Sequence, residues 1–326
     1  MNNHRLKHFN FIAEPTPDIQ WLQFFNTHRQ GYRDWFLKEG ELHRPTYQQC
    51  HQALQHHMPE LVPLWMRLVK LCNGDDIDAR LLSFYCPAPY IAGCSQAVWS
   101  RYNPILVRNY DYSPALCEGR ILKSNWHKTS VIATTDCLWG VLDGMNEYGL
   151  SVSLSFGGRD TVGEGFGIPL ILRYVLEFCK TTAEAVKVLC RIPTHMAYNI
   201  TLLDAYSQVC TLELAPHSPA VISHIPLAVN HQGDFELTDY AIFSRSHERR
   251  QRLIEKLYDP MMTIDAFINA FEYAPLFVSG YDEGFGTLYT AVYNPQLKAM
   301  EYRWPQHLRV YQSFEFFEEK ELWVNY

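Results

Sequence analysis

The chain has 326 residues, 47% of them hydrophobic and 14% aromatic, with a formal net charge of -7. That is apolar material for one large domain or two modest ones, and the acidic balance lacks the basic footprint that a phosphate-backbone partner requires. No apolar run reaches the roughly 18 residues of a membrane span, and MNNHRLKHFNFIAEP has no uninterrupted hydrophobic stretch of a secretory signal, so a cytoplasmic protein without nucleic-acid partners is expected.

The first eighty or so residues read as helical, because WLQFFNTHRQGYRDWFLKEG and TYQQCHQALQHHMPELVPLWMRLVKLC place apolar residues three and four apart. From Cys94 the texture changes to strands. AVWS and ILVRNYDY flank Arg101-Tyr102-Asn103-Pro104, an Asn-Pro turn signal that predicts a hairpin. VIATTDCLWGVLDG leads through Asn146-Glu147-Tyr148-Gly149 into LSVSLSF, where Leu150, Val152, Leu154 and Phe156 alternate with Ser151, Ser153 and Ser155. Such a strand has one apolar face and one polar face. Two helices follow, IPLILRYVLEFC and one opened by Thr181-Thr182-Ala183-Glu184, which has capping-box spacing. NITLLDAYSQVCTLELAP predicts a hairpin turning between Asp204 and Gln208, SRSHERRQRLIEKL a charged helix, and GTLYTAVYNPQLKAMEYRW a last hairpin turning at Asn294-Pro295. Helices first and then hairpins with paired helices inserted predict an α+β layered domain rather than a doubly wound sheet.

Nine cysteines, an odd number with no CxxC pair, disfavour a disulfide framework or a structural zinc site. Most lie among apolar neighbours, as small buried hydrophobes do. His51, His56 and His57 lack HExxH spacing and read as a solvated helix face rather than metal ligands. The glycine-rich GGRDTVGEGFG has no Lys-Ser/Thr after it and is therefore not a phosphate loop; a mobile loop over a site is the expectation.

Cys94 stands apart because it follows Gly93 at the head of a predicted strand. Cutting the bond before it would free an α-amine of pKa about 7.7 to 8.0 within reach of the thiol, and such an amine can serve as the general base. Gly93, without a Cβ, suits the self-directed acyl shift that makes the cut. Arg108 and Asp111 supply a cation to stabilise the thiolate and a carboxylate to orient the amine. Strict alternation sends these two to opposite faces, so both reach Cys94 only if the strand ends or bulges near Tyr110. His231 offers a conventional Cys-His pair as a second mechanism. Arg245, Arg249, Arg250 and Arg252 form a charged helix face from which one arginine need turn inward.

The ordered set Gly93-Cys94, Arg108-Asn109-Tyr110-Asp111, Gly144-Met145-Asn146-Glu147-Tyr148-Gly149-Leu150, Asn199 to Asp204, Glu213, Asn230-His231 and Ser246 to Arg249 resembles one family. It is similar to the N-terminal-nucleophile (Ntn) hydrolases of the penicillin acyltransferase and choloylglycine hydrolase group, over about residues 60 to 305. The resemblance implies a four-layer αββα sandwich, with residues 1-93 as a helical segment (propeptide or α chain) packed on a catalytic core of residues 94-326. It implies autoproteolysis at Gly93-Cys94 and cleavage or transfer of the acyl group of non-peptide linear amides, with no cofactor. Carried over, Cys94 is nucleophile and base, Arg108 and Asp111 flank it, Asn230 helps form the oxyanion hole, and Arg249, with Arg245 competing, is a second arginine. A small acyl amide is the implied substrate, acyl-coenzyme A a candidate acyl donor, and a homo-oligomer is allowed. Ser95 and Ser155 depart from residues common in the two branches, which leaves the substrate open. A non-catalytic binding protein on the same scaffold is the rival reading.

Overall fold

Strand and helix follow the sequence pattern from Gly93 onward, but the first described residues form a strand that the helical spacing of its neighbours hides. The computed structural model describes residues 5–233 and 238–326. Strand β1 (Leu6–Glu14) precedes helices α1 (Ile19–Phe36), α2 (Tyr47–His57), α3 (Val62–Leu71) and α4 (Asp76–Leu82). Thr46 and Gln49 close a reciprocal capping box on α2, and α3 starts beyond Pro59, where the predicted long helix breaks. Strands β2 (Gly93–Trp99), β3 (Ile105–Tyr112), β4 (Arg120–Ser124), β5 (Val131–Asp136), β6 (Gly140–Asn146) and β7 (Ser151–Phe156) come next. Helices α5 (Ile168–Phe178) and α6 (Thr182–Arg191) lead to β8 (Tyr198–Leu203), β9 (Val209–Leu214), β10 (Val221–Ser223) and β11 (Leu227–Ala228). The chain ends with α7 (Thr238–Ser244), α8 (Ser246–Tyr258), α9 (Ile264–Ala270), β12 (Gly286–Asn294), β13 (Ala299–Arg303), β14 (Arg309–Ser313) and β15 (Lys320–Asn325).

These strands form a nine-stranded sheet of order β10-β9-β8-β7-β6-β5-β4-β1-β15 and a six-stranded sheet of order β11-β2-β3-β12-β13-β14. Helices α5 and α6 cover the outer face of the first sheet, where α5 is buried from Ile168 to Glu177. The outer face of the second sheet carries Ala97, Trp99, Ile105 and Val107, which pack with Leu253, Phe267 and Phe271 of the segment that holds α8 and α9. The order helix, sheet, sheet, helix is the α+β four-layer sandwich, and every predicted hairpin from β2 to β13 is present.

The seam between the sheets is partly polar. Alternation along β7 turns its serines away from the helix layer, yet they meet the second sheet instead of water: the Ser153 hydroxyl donates to Gln96 Oε1, and Ser155 Oγ donates to the Val229 carbonyl at 2.7 Å. Gln96 Nε2 in turn donates to the Asn199 carbonyl at 3.1 Å. Every residue of β7 is consequently buried.

Two expectations are corrected here. Residues 1-93 are not a wholly helical segment, since β1 lies between β4, to which it is parallel, and β15, to which it is antiparallel. Phe9 and Phe11 of β1 meet Trp304 and Tyr302 edge-on at 5.1 and 5.6 Å, so this strand contributes to the same core as the later ones. The loop of residues 157–167 is laced down by backbone bonds: Gly157 N donates to Ala197 O, Gly163 N to His195 O and Phe166 N to Pro193 O, at 2.9 to 3.0 Å. Truncating a fully buried Phe costs about 3–5 kcal/mol. Phe9→Ala, with Phe9 fully buried in this core, is therefore expected to lower the unfolding free energy by that amount in urea denaturation.

Candidate active site

Antiparallel pairing of β2 with β3 sets Cys94 opposite Tyr110, Gln96 opposite Arg108 and Gly93 opposite Asp111. Opposed residues share a face, so Cys94, Tyr110, Gln96 and Arg108 point into the seam, whereas Asp111 points to the helix side. Arg108 and Asp111 do lie on opposite faces, and the bulge lies elsewhere than expected. It falls on the neighbouring β12, between Thr287 and Tyr289, and leaves Leu288 as the extra residue. That offset places Thr287 opposite Asp111 and Tyr289 opposite Tyr110.

On the seam side, Arg108 Nη2 donates to Cys94 Sγ at 3.1 Å. The guanidinium is fixed by everything else it touches. Nη1 pairs with the Asp143 carboxylate, Nε donates to the Leu154 carbonyl at 3.1 Å, and the group lies 4.8 Å over the Tyr110 ring. Asp143 is itself held by the Tyr289 and Tyr293 hydroxyls and by Thr134 Oγ1. Both charges of the Arg108–Asp143 pair are fully buried. Removing one partner of such a pair strands the other in a low-dielectric interior.

On the helix side, Asp111 pairs with Arg249 Nη2 and accepts from Thr287 Oγ1 at 2.6 Å. Arg249 Nη1 reaches the Cys94 carbonyl at 3.3 Å and Asn230 Oδ1 at 3.4 Å. Arg249 is thus the inward arginine; Arg245 is half-exposed and pairs with Glu248 one turn along. Asn230 Oδ1 accepts from Cys94 N at 3.0 Å, and its Nδ2 donates to the Phe156 carbonyl at 3.1 Å. Ser246 Oγ accepts from Asn230 N at 2.9 Å and lies 2.7 Å from His231 Nδ1. His231 also stacks on His247 at 4.5 Å.

Cys94 is fully buried, and desolvation pushes its thiol pKa up. Arg108 opposes that rise by its charge and its hydrogen bond, Arg249 adds to the opposition, and Asp111 works the other way. At Gly93, a Cβ would lie 2.8 Å from Phe285 Cζ and 3.1 Å from Asp111 Cβ, so only glycine lets the carboxylate and the ring close on the peptide before Cys94. Tyr240 OH donates to the Ala92 carbonyl at 3.0 Å and fixes the same stretch.

Sequence reasoning therefore named Cys94, Arg108, Asp111, Asn230 and Arg249, and the structure brings all five together. It missed Asp143, Thr287 and Ser246. Asp143 left a trace, a charge inside the otherwise apolar strand VLDGM; Ser246 opens the run Ser246 to Arg249 that carries the resemblance, and Thr287 lies in the last predicted hairpin, but neither was given a site role. Among the described residues no group of His, Cys, Asp and Glu side chains could hold a metal ion, and His51, His56 and His57 lie at the surface side of α2.

A four-layer α+β sandwich with a cysteine near the start of an interior strand, its thiol and its backbone nitrogen each in contact with a polar partner, is the architecture expected of an Ntn hydrolase. The family model for acyl-coenzyme A:6-aminopenicillanic acid acyl-transferase matches residues 99–309, more than half of the chain, and the chain belongs to that family of acyltransferase and amide-hydrolysing enzymes. No curated protein is a significant sequence match. Similar solved structures include penicillin V acylase from Agrobacterium tumefaciens, at 17% identity over 70% of this chain and 91% of that one, TM-score 0.46. The N-acylethanolamine-hydrolyzing acid amidase ortholog of Caenorhabditis elegans has 18% identity over 71% and 98%, TM-score 0.46. A mutant conjugated bile acid hydrolase from Clostridium perfringens has 13% identity over 70% and 96%, TM-score 0.47.

Asp143→Ala is expected to cost about 3–5 kcal/mol in chemical denaturation, because it leaves Arg108 buried without its counter-ion. Asp143→Asn, which keeps the shape and some of the hydrogen bonds, should cost less.

Proposed function

We propose that this protein is a self-processing cysteine amidohydrolase or acyltransferase, in which Cys94 is the nucleophile and its own α-amine the base. The observation that carries this reading is the two-sided grip on Cys94: Sγ on Arg108 at 3.1 Å, and N on Asn230 Oδ1 at 3.0 Å. The family match begins after Gly93 and Cys94, so the nucleophile rests on this geometry.

In processing, Sγ attacks the Gly93 carbonyl carbon and the thiol proton passes to the departing Cys94 nitrogen. A thioester of Gly93 on Sγ results, and water cleaves it to a Gly93 carboxylate and a free thiol. The new α-amine stays where Asn230 Oδ1 already holds the nitrogen. In turnover that amine takes the thiol proton, the thiolate adds to the amide carbonyl of the substrate, and the amine proton goes to the leaving nitrogen. Water or an acceptor amine then removes the acyl group from sulfur. Arg108 favours the thiolate, Arg249 and Asp111 fix the backbone around the amine, and the second hydrogen on Asn230 Nδ2 is the donor for the oxyanion. A small linear acyl amide is the substrate class, and acyl-coenzyme A is the thioester donor if the reaction is run as a transfer.

Cys94 is fully buried in the uncut chain, so the cut also serves to open a path to the thiol. The front segment should remain as an α chain, because β1 is an interior strand of the nine-stranded sheet. Wild-type protein is expected to yield fragments ending at Gly93 and starting at Cys94, seen by intact mass, that co-elute in size-exclusion chromatography. Cys94→Ala should stay one chain. Because burial keeps the thiol protonated, the cleavage rate should rise with pH through the neutral and mildly alkaline range; a rate that falls with pH would remove thiolate attack from the account. For the processed enzyme, Asn230→Ala should lower kcat about a hundred- to a thousandfold, measured with an acyl-amide substrate.

A further inference from the structure

Under α1, apart from Asn230 and α8, lies a cavity of about 320 Å³ lined in part by Gly31, Tyr32, Trp35, Tyr90, Tyr112 and Asp136. Three of its walls meet nearly at right angles: the Tyr32 and Trp35 rings are 6.2 Å apart at 80°, and Trp35 and Tyr90 6.1 Å apart at 78°. Aromatic rings lining a cavity can offer a negative face to a cation.

The carboxyl at this corner is short of partners. Asp136 is 6% exposed; the Cys137 backbone offers it a hydrogen bond, its side-chain contacts are long, the Tyr32 hydroxyl at 3.5 Å and the Cys137 thiol at 3.8 Å, and no cation pairs with it among the described residues. Glu118 beside it takes the better donors: Tyr32 OH at 2.6 Å, Leu138 N at 2.6 Å and Thr135 Oγ1 at 3.2 Å. Tyr32 has one hydroxyl proton and gives it to Glu118. Burial first, and then the Glu118 charge, push the Asp136 pKa up to about 8, which is the signature of a carboxyl without a counter-ion. Asp136 stands at the end of β5, and the hairpin turn that follows carries Cys137 and Leu138 at φ of 55° and 77°. Gly31 is equally telling. It stands inside α1, where glycine costs roughly 1 kcal/mol against alanine, at the exposed rim of the cavity, and a Cβ there would meet nothing within 4 Å, so a larger side chain has room to reach over the cavity mouth.

We propose that this cavity binds a small organic ammonium group, seated against Tyr32, Trp35 and Tyr90 with its charge toward the Asp136 carboxyl. With its pKa at about 8 Asp136 is largely protonated at neutral pH; a bound cation draws it into the ionised form, whereas an uncharged ligand gains the aromatic contacts alone. An anion would face two carboxyls. Only a cation with an apolar skin uses both the rings and the acid. The site uses none of the residues assigned to Cys94 chemistry and stands or falls independently of that reaction.

The test is isothermal titration calorimetry of the full chain with choline and with 3,3-dimethylbutan-1-ol, its uncharged isostere. Saturable choline binding is expected, with the alcohol about tenfold or more weaker, the margin a desolvated cation–π contact provides. Asp136→Asn should weaken choline by a similar factor. Gly31→Leu should abolish binding by covering the cavity mouth, with Gly31→Ala as the folding control by circular dichroism. Equal affinity for the alcohol, unchanged choline binding in folded Gly31→Leu, or no saturable choline binding by folded wild type would each overturn the assignment.

Discussion

The buried pair of Arg108 and Asp143 is the constraint around which the rest of the seam is arranged. Two charges taken out of water between two sheets are tolerable only when each finds its partner and its remaining hydrogen bonds. Asp143 comes from the first sheet and Arg108 from the second, so the pair fixes how the sheets sit on one another. Tyr289, Tyr293 and Thr134 spend their hydroxyls on the same carboxylate, which leaves one guanidinium nitrogen, Nη2, for the sulfur of Cys94. The thiol environment is thereby set by residues that never touch it.

A second constraint acts through β3. Because strand side chains alternate, Arg108 and Asp111 stand on opposite faces, one in the seam and one under α8. The strand needs no bulge of its own to use both. Cys94 has its sulfur on the seam face, while Gly93, lacking a side chain, lets the Asp111 carboxylate approach the backbone from the other. Arg249 ties the two sides together by bonding Asp111, Asn230 and the Cys94 carbonyl at once. Its role as a buried linchpin explains why it, and not the exposed Arg245, turns inward.

Much of this was legible in the residues. The hairpins from β2 to β9 show through period-two alternation and Asn-containing turns, and Gly93-Cys94 with Arg108 and Asp111 is a compact local signal. What stayed hidden is what depends on long-range pairing. β1 was masked because LKHFNFIAE is only partly alternating and is soon followed by a helix; its strand character comes from β4 and β15, which are far away in sequence. The polar face of β7 was visible, but its burial was not, because serines facing a second sheet read the same as serines facing water. The loop of residues 157–167 looked free from its glycines, yet several of those glycines are where another backbone comes close: a Cβ at Gly158 would lie 2.3 Å from the Asn230 carbonyl oxygen.

The central claim is that the base is the amine of Cys94 itself, and one comparison tests it most directly. The chain from Cys94 onward, produced together with the separate front fragment, is assayed on an acyl amide with and without one extra Gly ahead of Cys94, and beside it the His231→Ala variant. The extension converts the amine to an amide, which cannot accept the thiol proton. The account predicts that the extended form is inactive and that His231→Ala retains activity to within about tenfold, less than the loss of a general base normally causes. Full activity in the extended form, together with loss in His231→Ala, would contradict it and place the proton on the imidazole instead.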